Sequence, residues 1–119
     1  MSEHSDFFPP FIRALPAPDS PVRMDAHIVP SEHALTMFFE MAEPVEVPAH
    51  RHGAQWGVIL AGSLELEVEG ERTTYGPGET YYVPPDALHT ARTSAGYKGI
   101  DVFADPERYV PVARTGGPR

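Results

Sequence analysis

His50-Arg51-His52-Gly53-Ala54-Gln55-Trp56 sets two imidazoles either side of one residue and a carboxamide three positions further on. On an extended chain, side chains at i and i+2 leave the same face with their Cα atoms roughly 6.6 Å apart. Two histidines spaced this way can close on one ion. The run that leads in, Val45-Glu46-Val47-Pro48-Ala49, alternates as a strand, and its parity predicts that His50 and His52 share a face. A third histidine, His89, follows the turn Pro84-Pro85-Asp86-Ala87, where chain reversal can return it to the first two. Three neutral imidazoles on a divalent ion leave coordination positions for water or substrate, as catalytic sites do and sealed structural sites do not.

On either side of this stretch the chain reads as short strands. Val22 to Val29 and Ala34 to Met41 precede it, with Pro30-Ser31-Glu32 and Glu43-Pro44 as turns. Trp56 to Ala61 is the return strand. Leu64-Glu65-Leu66-Glu67-Val68-Glu69 carries the clearest period-two pattern, its apolar residues facing a core and its glutamates water. Gly70-Glu71 is a hairpin signal before Arg72 to Tyr75. Thr80 to Val83, His89 to Thr93 and Tyr97 to Phe103 complete the set. Fourteen prolines and ten glycines at turn-like spacings favour strands over helices, and the architecture expected is all-β, a sandwich or a small closed barrel.

With 119 residues the chain has room for one domain with a real core, placed at 22–110 between a proline-rich arm at 1–21 and a tail at 111–119. The arm embeds Phe7, Phe8, Phe11, Ile12 and Leu15, each worth about 1.5 to 3 kcal/mol when buried, so it is expected to lie on the body or on a second subunit of a homodimer. Residues 116–119 are expected to fray, and a disordered terminus is the competing assignment for the first six residues. A net charge of −8 and scattered basic residues exclude a nucleic-acid partner, and no apolar run serves as a signal or membrane segment. The absence of cysteine rules out thiolate metal sites and disulfides and fits a cytoplasmic location.

Two ordered motifs, covering roughly residues 34–104, resemble those of the cupin superfamily of small jelly-roll barrels. In the first motif His50 and His52 match, Gln55 stands in the place of a glutamate counted back from Gly62, and Pro44 replaces a glycine. In the second, Gly78, Pro84 and His89 match, while Asp86 replaces a glycine and Thr93 an asparagine. The resemblance implies a cupin-type jelly-roll β-barrel holding one divalent ion (Zn, Ni, Fe or Mn) on His50, His52, His89 and Gln55. A carboxamide in place of a carboxylate leaves the metal more electrophilic. The competing role for Gln55 is to stand beside the ion and orient a bound water. Asp101-Val102-Phe103-Ala104-Asp105-Pro106-Glu107-Arg108 is similar to a segment of the uronate ring-opening cupins, with one extra residue before the arginine.

Asp101 is the expected general base, provided the last strand turns it inward, and a solvent-facing aspartate is the competing assignment. Arg108 is expected to clamp a substrate carboxylate, with a surface ion pair as the alternative. Trp56, Tyr81, Tyr82 and Phe103 are assigned to the core ahead of the substrate wall, and His4, His27 and His33 to surface or loop roles. The expected function is metal-dependent isomerisation or ring opening of a small oxygenated acid or sugar derivative. The alternatives are a non-haem Fe(II) dioxygenase that cleaves a C–C bond and a non-catalytic small-molecule binding cupin.

Overall fold

Alternation along the chain becomes alternation between the inside and the outside of a barrel. In the computed structural model, which describes residues 7–20 and 24–112, nine strands run β1 (Asp25–Pro30), β2 (Leu35–Met41), β3 (Val45–His50), β4 (Gln55–Ala61), β5 (Leu64–Val68), β6 (Glu71–Tyr75), β7 (Thr80–Val83), β8 (His89–Thr93) and β9 (Tyr97–Phe103). Every second residue of β2 and β9 is buried, so Leu35, Met37, Phe39 and Met41 face Tyr97, Gly99, Asp101 and Phe103 into the interior. All pairings are antiparallel, in a five-stranded sheet of order β1-β2-β9-β4-β7 and a four-stranded sheet of order β3-β8-β5-β6. The two sheets close over one core, as expected of a jelly roll.

The hairpin read at Gly70-Glu71 forms one residue earlier, because Glu71 already belongs to β6. Glu69 and Gly70 both take positive φ, 48° and 88°, giving the two-residue hairpin between β5 and β6. Asp86 takes φ 64° where the cupin pattern has glycine, and aspartate is among the few side chains that tolerate this conformation. On the outer face of the smaller sheet the glutamates of β3 and β5 meet arginines across the strands, Arg72 to Glu65 at 3.1 Å and Arg92 to Glu46 at 3.0 Å. Exposed pairs of this kind contribute about 0 to 1 kcal/mol each and serve mainly register and solubility.

One departure from simple alternation decides the site. Val45 and Val47 pair with Thr93 and Ala91, but the next pair is His50 with His89, so β3 carries one more residue than β8 between these points. Without that bulge, even-numbered His50 would face away from odd-numbered Val45 and Val47. Pro48 sits in the bulge, where a missing N–H does no harm to the ladder.

The described part of the arm packs on its own chain. It contains a single helical turn, α1 (Pro10–Arg13), which strand-favouring composition did not predict. Phe8 is buried and meets Phe38 edge-on at 5.6 Å. The Ile28 N–H donates to Pro16 O at 2.8 Å along the edge of β1, covering a strand that would otherwise expose unpaired backbone. Farther on, Asp19 and Val110 and then Ala17 and Val112 are joined by backbone hydrogen bonds, so the C-terminal residues up to 112 are tied to the arm. The first six residues and 116–119, where fraying is expected, lie outside the described residues. Among the described residues no helix is long and apolar enough to cross a membrane.

Candidate metal centre and active site

His50 closes β3 and His89 opens β8 directly opposite, while His52 lies past the strand end in the loop 51–54. The shared strand face expected for His50 and His52 is therefore not what joins them; the loop is. That loop is held from two sides. Gly53 N–H donates to Asp105 Oδ2 at 2.7 Å, and Asp86 N–H donates to His52 O at 2.7 Å. A Cβ on Gly53 would run into the Asp105 carboxylate, so only glycine allows this approach. The result is three rings whose centroids lie 4.2 to 5.0 Å apart, with one nitrogen from each within 4.8 Å of the others.

The ring orientations suit ligation. Nδ1 of His50, His52 and His89 lies 2.8, 2.7 and 2.9 Å from the carbonyl oxygens of Pro48, Gly53 and Ala87. Carbonyls only accept, so each Nδ1 holds the proton and each Nε2 offers a lone pair. His52 Nε2 is buried without a partner, a costly state for a lone pair that a cation relieves. Burial lowers the His52 pKa to about 4 despite the raising effect of the Gly53 carbonyl, with Arg108, His89 and His50 adding to the fall. His50 is also lowered, chiefly by burial. His50 and His52 are thus neutral near pH 7, and the three nitrogens suit one divalent ion.

Beside the histidines lies a closed triangle of polar groups. Gln55 Nε2 donates to Tyr81 Oη at 2.8 Å and to Asp101 Oδ2 at 2.9 Å, and Tyr81 Oη–H donates to Asp101 Oδ1 at 2.5 Å. Asp101 is 3 % exposed and points into the barrel, as the inward alternative required. Burial raises its pKa to about 7, while the bonds from Tyr81 and Gln55 pull the other way. Burial and the Asp101 charge push the Tyr81 hydroxyl well above its ordinary value, so it stays a proton donor. Gly57 makes room for the triangle: it pairs with both Asp101 and Tyr81, and a Cβ there would strike the carboxylate and the ring.

Arg108 reaches the same cavity from the turn after β9, its guanidinium 4.4 Å from the Tyr109 ring centre and 5.9 Å from that of Phe103. Its Nε is buried without a partner, so the surface ion pair weighed as an alternative is not formed among the described residues. His50, Gln55, His89, Asp101 and Arg108 line one lumen with room for water centres of about 70 Å³. His27 is instead bonded to the arm through Leu15 O, and exposed His33 lies beside Glu32. His4 is outside the described residues.

Sequence reasoning missed Tyr81 as Asp101's partner, Asp105 as the anchor of the His52 loop, and the placement of Trp56 and Tyr82. Tyr81 and Phe103 are buried, whereas Trp56 and Tyr82 are 43 % and 57 % exposed on the outer face of the larger sheet. A glycine inside the β4 pattern was the one sign of a close approach at Gly57.

Residues 37–96 match the family described as the cupin domain (Cupin_2), and the chain belongs to that family. Solved structures agree on the fold. An RmlC-like cupin from Shewanella frigidimarina NCIMB 400 is 25 % identical with a TM-score of 0.57, covering 70 % of this chain and 76 % of that one. KdgF from Halomonas sp. is 23 % identical with a TM-score of 0.61, covering 66 % and 76 %. A cupin superfamily protein from Desulfitobacterium hafniense DCB-2 is 18 % identical with a TM-score of 0.62, covering 80 % and 87 %. Among curated proteins no match was found.

Proposed function

We propose that this cupin is a metal-dependent enzyme that moves a proton on a small oxygenated acid, in an isomerisation or ring opening. The observation that carries this reading is Asp101, a buried carboxyl with its pKa raised to about 7, in the cavity that His50 and His89 of the histidine cluster also line. A base poised near neutrality can both take and return a proton at working pH.

His50, His52 and His89 would hold the ion through Nε2. Both N–H groups of Gln55 are committed to Asp101 and Tyr81, which leaves its Oε1 as the end available to the same ion. When bound, the metal supplies polarisation of a substrate carbonyl or hydroxyl oxygen. Asp101 accepts the proton thereby acidified, and the Tyr81 hydroxyl, donating to the same carboxylate, holds its orientation and stabilises its charged form. Arg108 binds the substrate carboxylate through its guanidinium fork.

The test uses protein purified without an affinity tag. Metal content should approach one divalent ion per chain, and a panel of small oxo and hydroxy acids should reveal solvent deuterium incorporation that Asp101→Asn abolishes. Gln55→Ala should change the absorption spectrum of the Co²⁺-loaded protein, whereas an unchanged spectrum removes Gln55 from the ion. Oxygen consumption by the iron-loaded protein without deuterium exchange would replace this reading with C–C bond cleavage by dioxygen, and absence of both would leave a binding protein.

The same reading includes a homodimer. Trp56 pairs with both Tyr82 and Val102, and Val58 with Ile100, so β7, β4 and β9 present an apolar strip on the outside of the barrel. A second copy of the same strip is the self-complementary partner that a two-fold interface requires.

A further inference from the structure

We propose that the lumen takes a small carboxylic acid whose body is apolar and carries at most one carbonyl or hydroxyl oxygen, and that it rejects polyhydroxylated acids such as hexuronates; this rests on the same cavity being the metal-dependent site. Among the described residues, three buried side-chain polar atoms lack a partner: His52 Nε2, Arg108 Nε and Thr93 Oγ1. Arg108 lines one end of the lumen beside His50, and the His52 ring lies against His50 and His89 at that end. Thr93 lies at the other end, opposite Val45 and Leu64 on its neighbouring strands.

Between these ends the walls are Met24, Met37, Met41, Leu64 and Leu66. Asp101, Tyr81, Gln55, Tyr97 and Tyr109 interrupt them; the first three are bonded to one another, and the last two present mainly ring surface. A sugar acid would bring several hydroxyls into this stretch, and each one buried without a partner weakens binding by roughly tenfold. An alkyl or aryl body loses nothing there. The room of about 70 Å³ holds about five to seven water positions at roughly 10 to 15 Å³ each, so the acid is short. Unbranched methionines can shift to admit a somewhat larger body.

Charge sets the direction of approach. Met24, Met41 and Val45 separate the deep end from an outer recess that carries Asp25, Glu40 and Glu43, which repel an anion. At the opposite end a recess bounded by His50, Arg108 and Tyr109 presents the guanidinium. An acid that enters carboxylate-last would have to pass its apolar body by Arg108 and lodge it among the methionines, leaving the head between Arg108 and the imidazoles.

Calorimetric titration of the Co²⁺-loaded full-length protein with propanoate, butanoate, pentanoate and glucuronate tests the assignment. Affinity should rise about fourfold with each added methylene. Glucuronate should bind at least tenfold more weakly than pentanoate, and Arg108→Gln should weaken pentanoate by a similar factor. Thr93→Val should keep pentanoate binding and remove any preference for 4-oxopentanoate. A flat chain-length series, or glucuronate bound as tightly as pentanoate, overturns the proposal, and this series needs no variant to fold. Co²⁺ uptake is read separately, from the metal's absorption with no acid present. Protein that takes up Co²⁺ but gives a flat series loses the ligand class and keeps the metal. Protein that takes up none but shows the series when metal-free loses the metal and keeps the ligand class.

Discussion

Asp101 and the histidines answer to burial in opposite senses, and this gives the metal-free protein a distinctive pH response. The folded Asp101 holds its proton up to about pH 7 while the unfolded chain releases it near 3.8, so stability from this group is fully present below 3.8 and declines as pH rises towards 7. His52 behaves conversely: lowered from 6.5 to about 4, it contributes stability above pH 6.5 that is lost as pH falls. In EDTA-treated protein the two slopes oppose each other between about pH 4 and 6.5. Asp101→Asn removes one of them. Its stability relative to wild type, measured by urea unfolding, should therefore increase between pH 4 and 7, by at most on the order of 4 kcal/mol. A constant difference across that range would mean that Asp101 is not held protonated in the fold.

At the scale of elements, the site depends on a bulge and a loop anchor that are not themselves chemical. The extra residue in β3 turns His50 into the lumen, and Asp105, in the turn after β9, fixes the loop bearing His52 by accepting from Gly53 N–H. Asp105→Ala should leave the barrel folded, since the lost bond stabilises by roughly 1 to 3 kcal/mol at most. Metal affinity should nevertheless fall by about 10- to 100-fold, as happens when the groups that orient ligands are removed. Titration with Zn²⁺ alongside a thermal melt separates the two effects. Equal metal affinity in the variant would show that His52 finds its place without the anchor. Gly53→Ala should give a similar loss, because its Cβ would compete for the space of the same carboxylate.

Over the whole molecule, the apolar surface is distributed unevenly. The arm buries Phe8 and covers the edge of β1, yet Phe11, Trp56 and Tyr82 remain exposed. If the strip of β4, β7 and β9 is the dimer contact, Trp56→Glu should convert the dimer to a monomer in light scattering while leaving Co²⁺ binding intact, because Trp56 faces away from the lumen. A charge in the middle of an interface costs far more than one at its rim. An unchanged mass for this variant removes the strip as the contact.

The sequence by itself determined the strands, because alternation and turn residues are local signals, clearest at Leu64 to Glu69, and it marked the turn at Asp86; the hairpin read at Gly70-Glu71 falls one residue earlier, at Glu69-Gly70. It also determined the histidine triad, whose spacing coincides with both cupin motifs. What the tertiary structure decided was which side each residue faces where alternation breaks. The bulge at Pro48 reverses the parity of His50, and only the register against β8 reveals it. Tyr81 turns inward and Tyr82 outward although the two look alike in sequence, and Tyr81 meets Asp101 because both pair with Gly57, a contact between residues 20 apart. Strand identity is written in neighbouring residues, whereas the site is assembled by pairings between strands distant in the chain, and those are fixed only when the sheets close over their core.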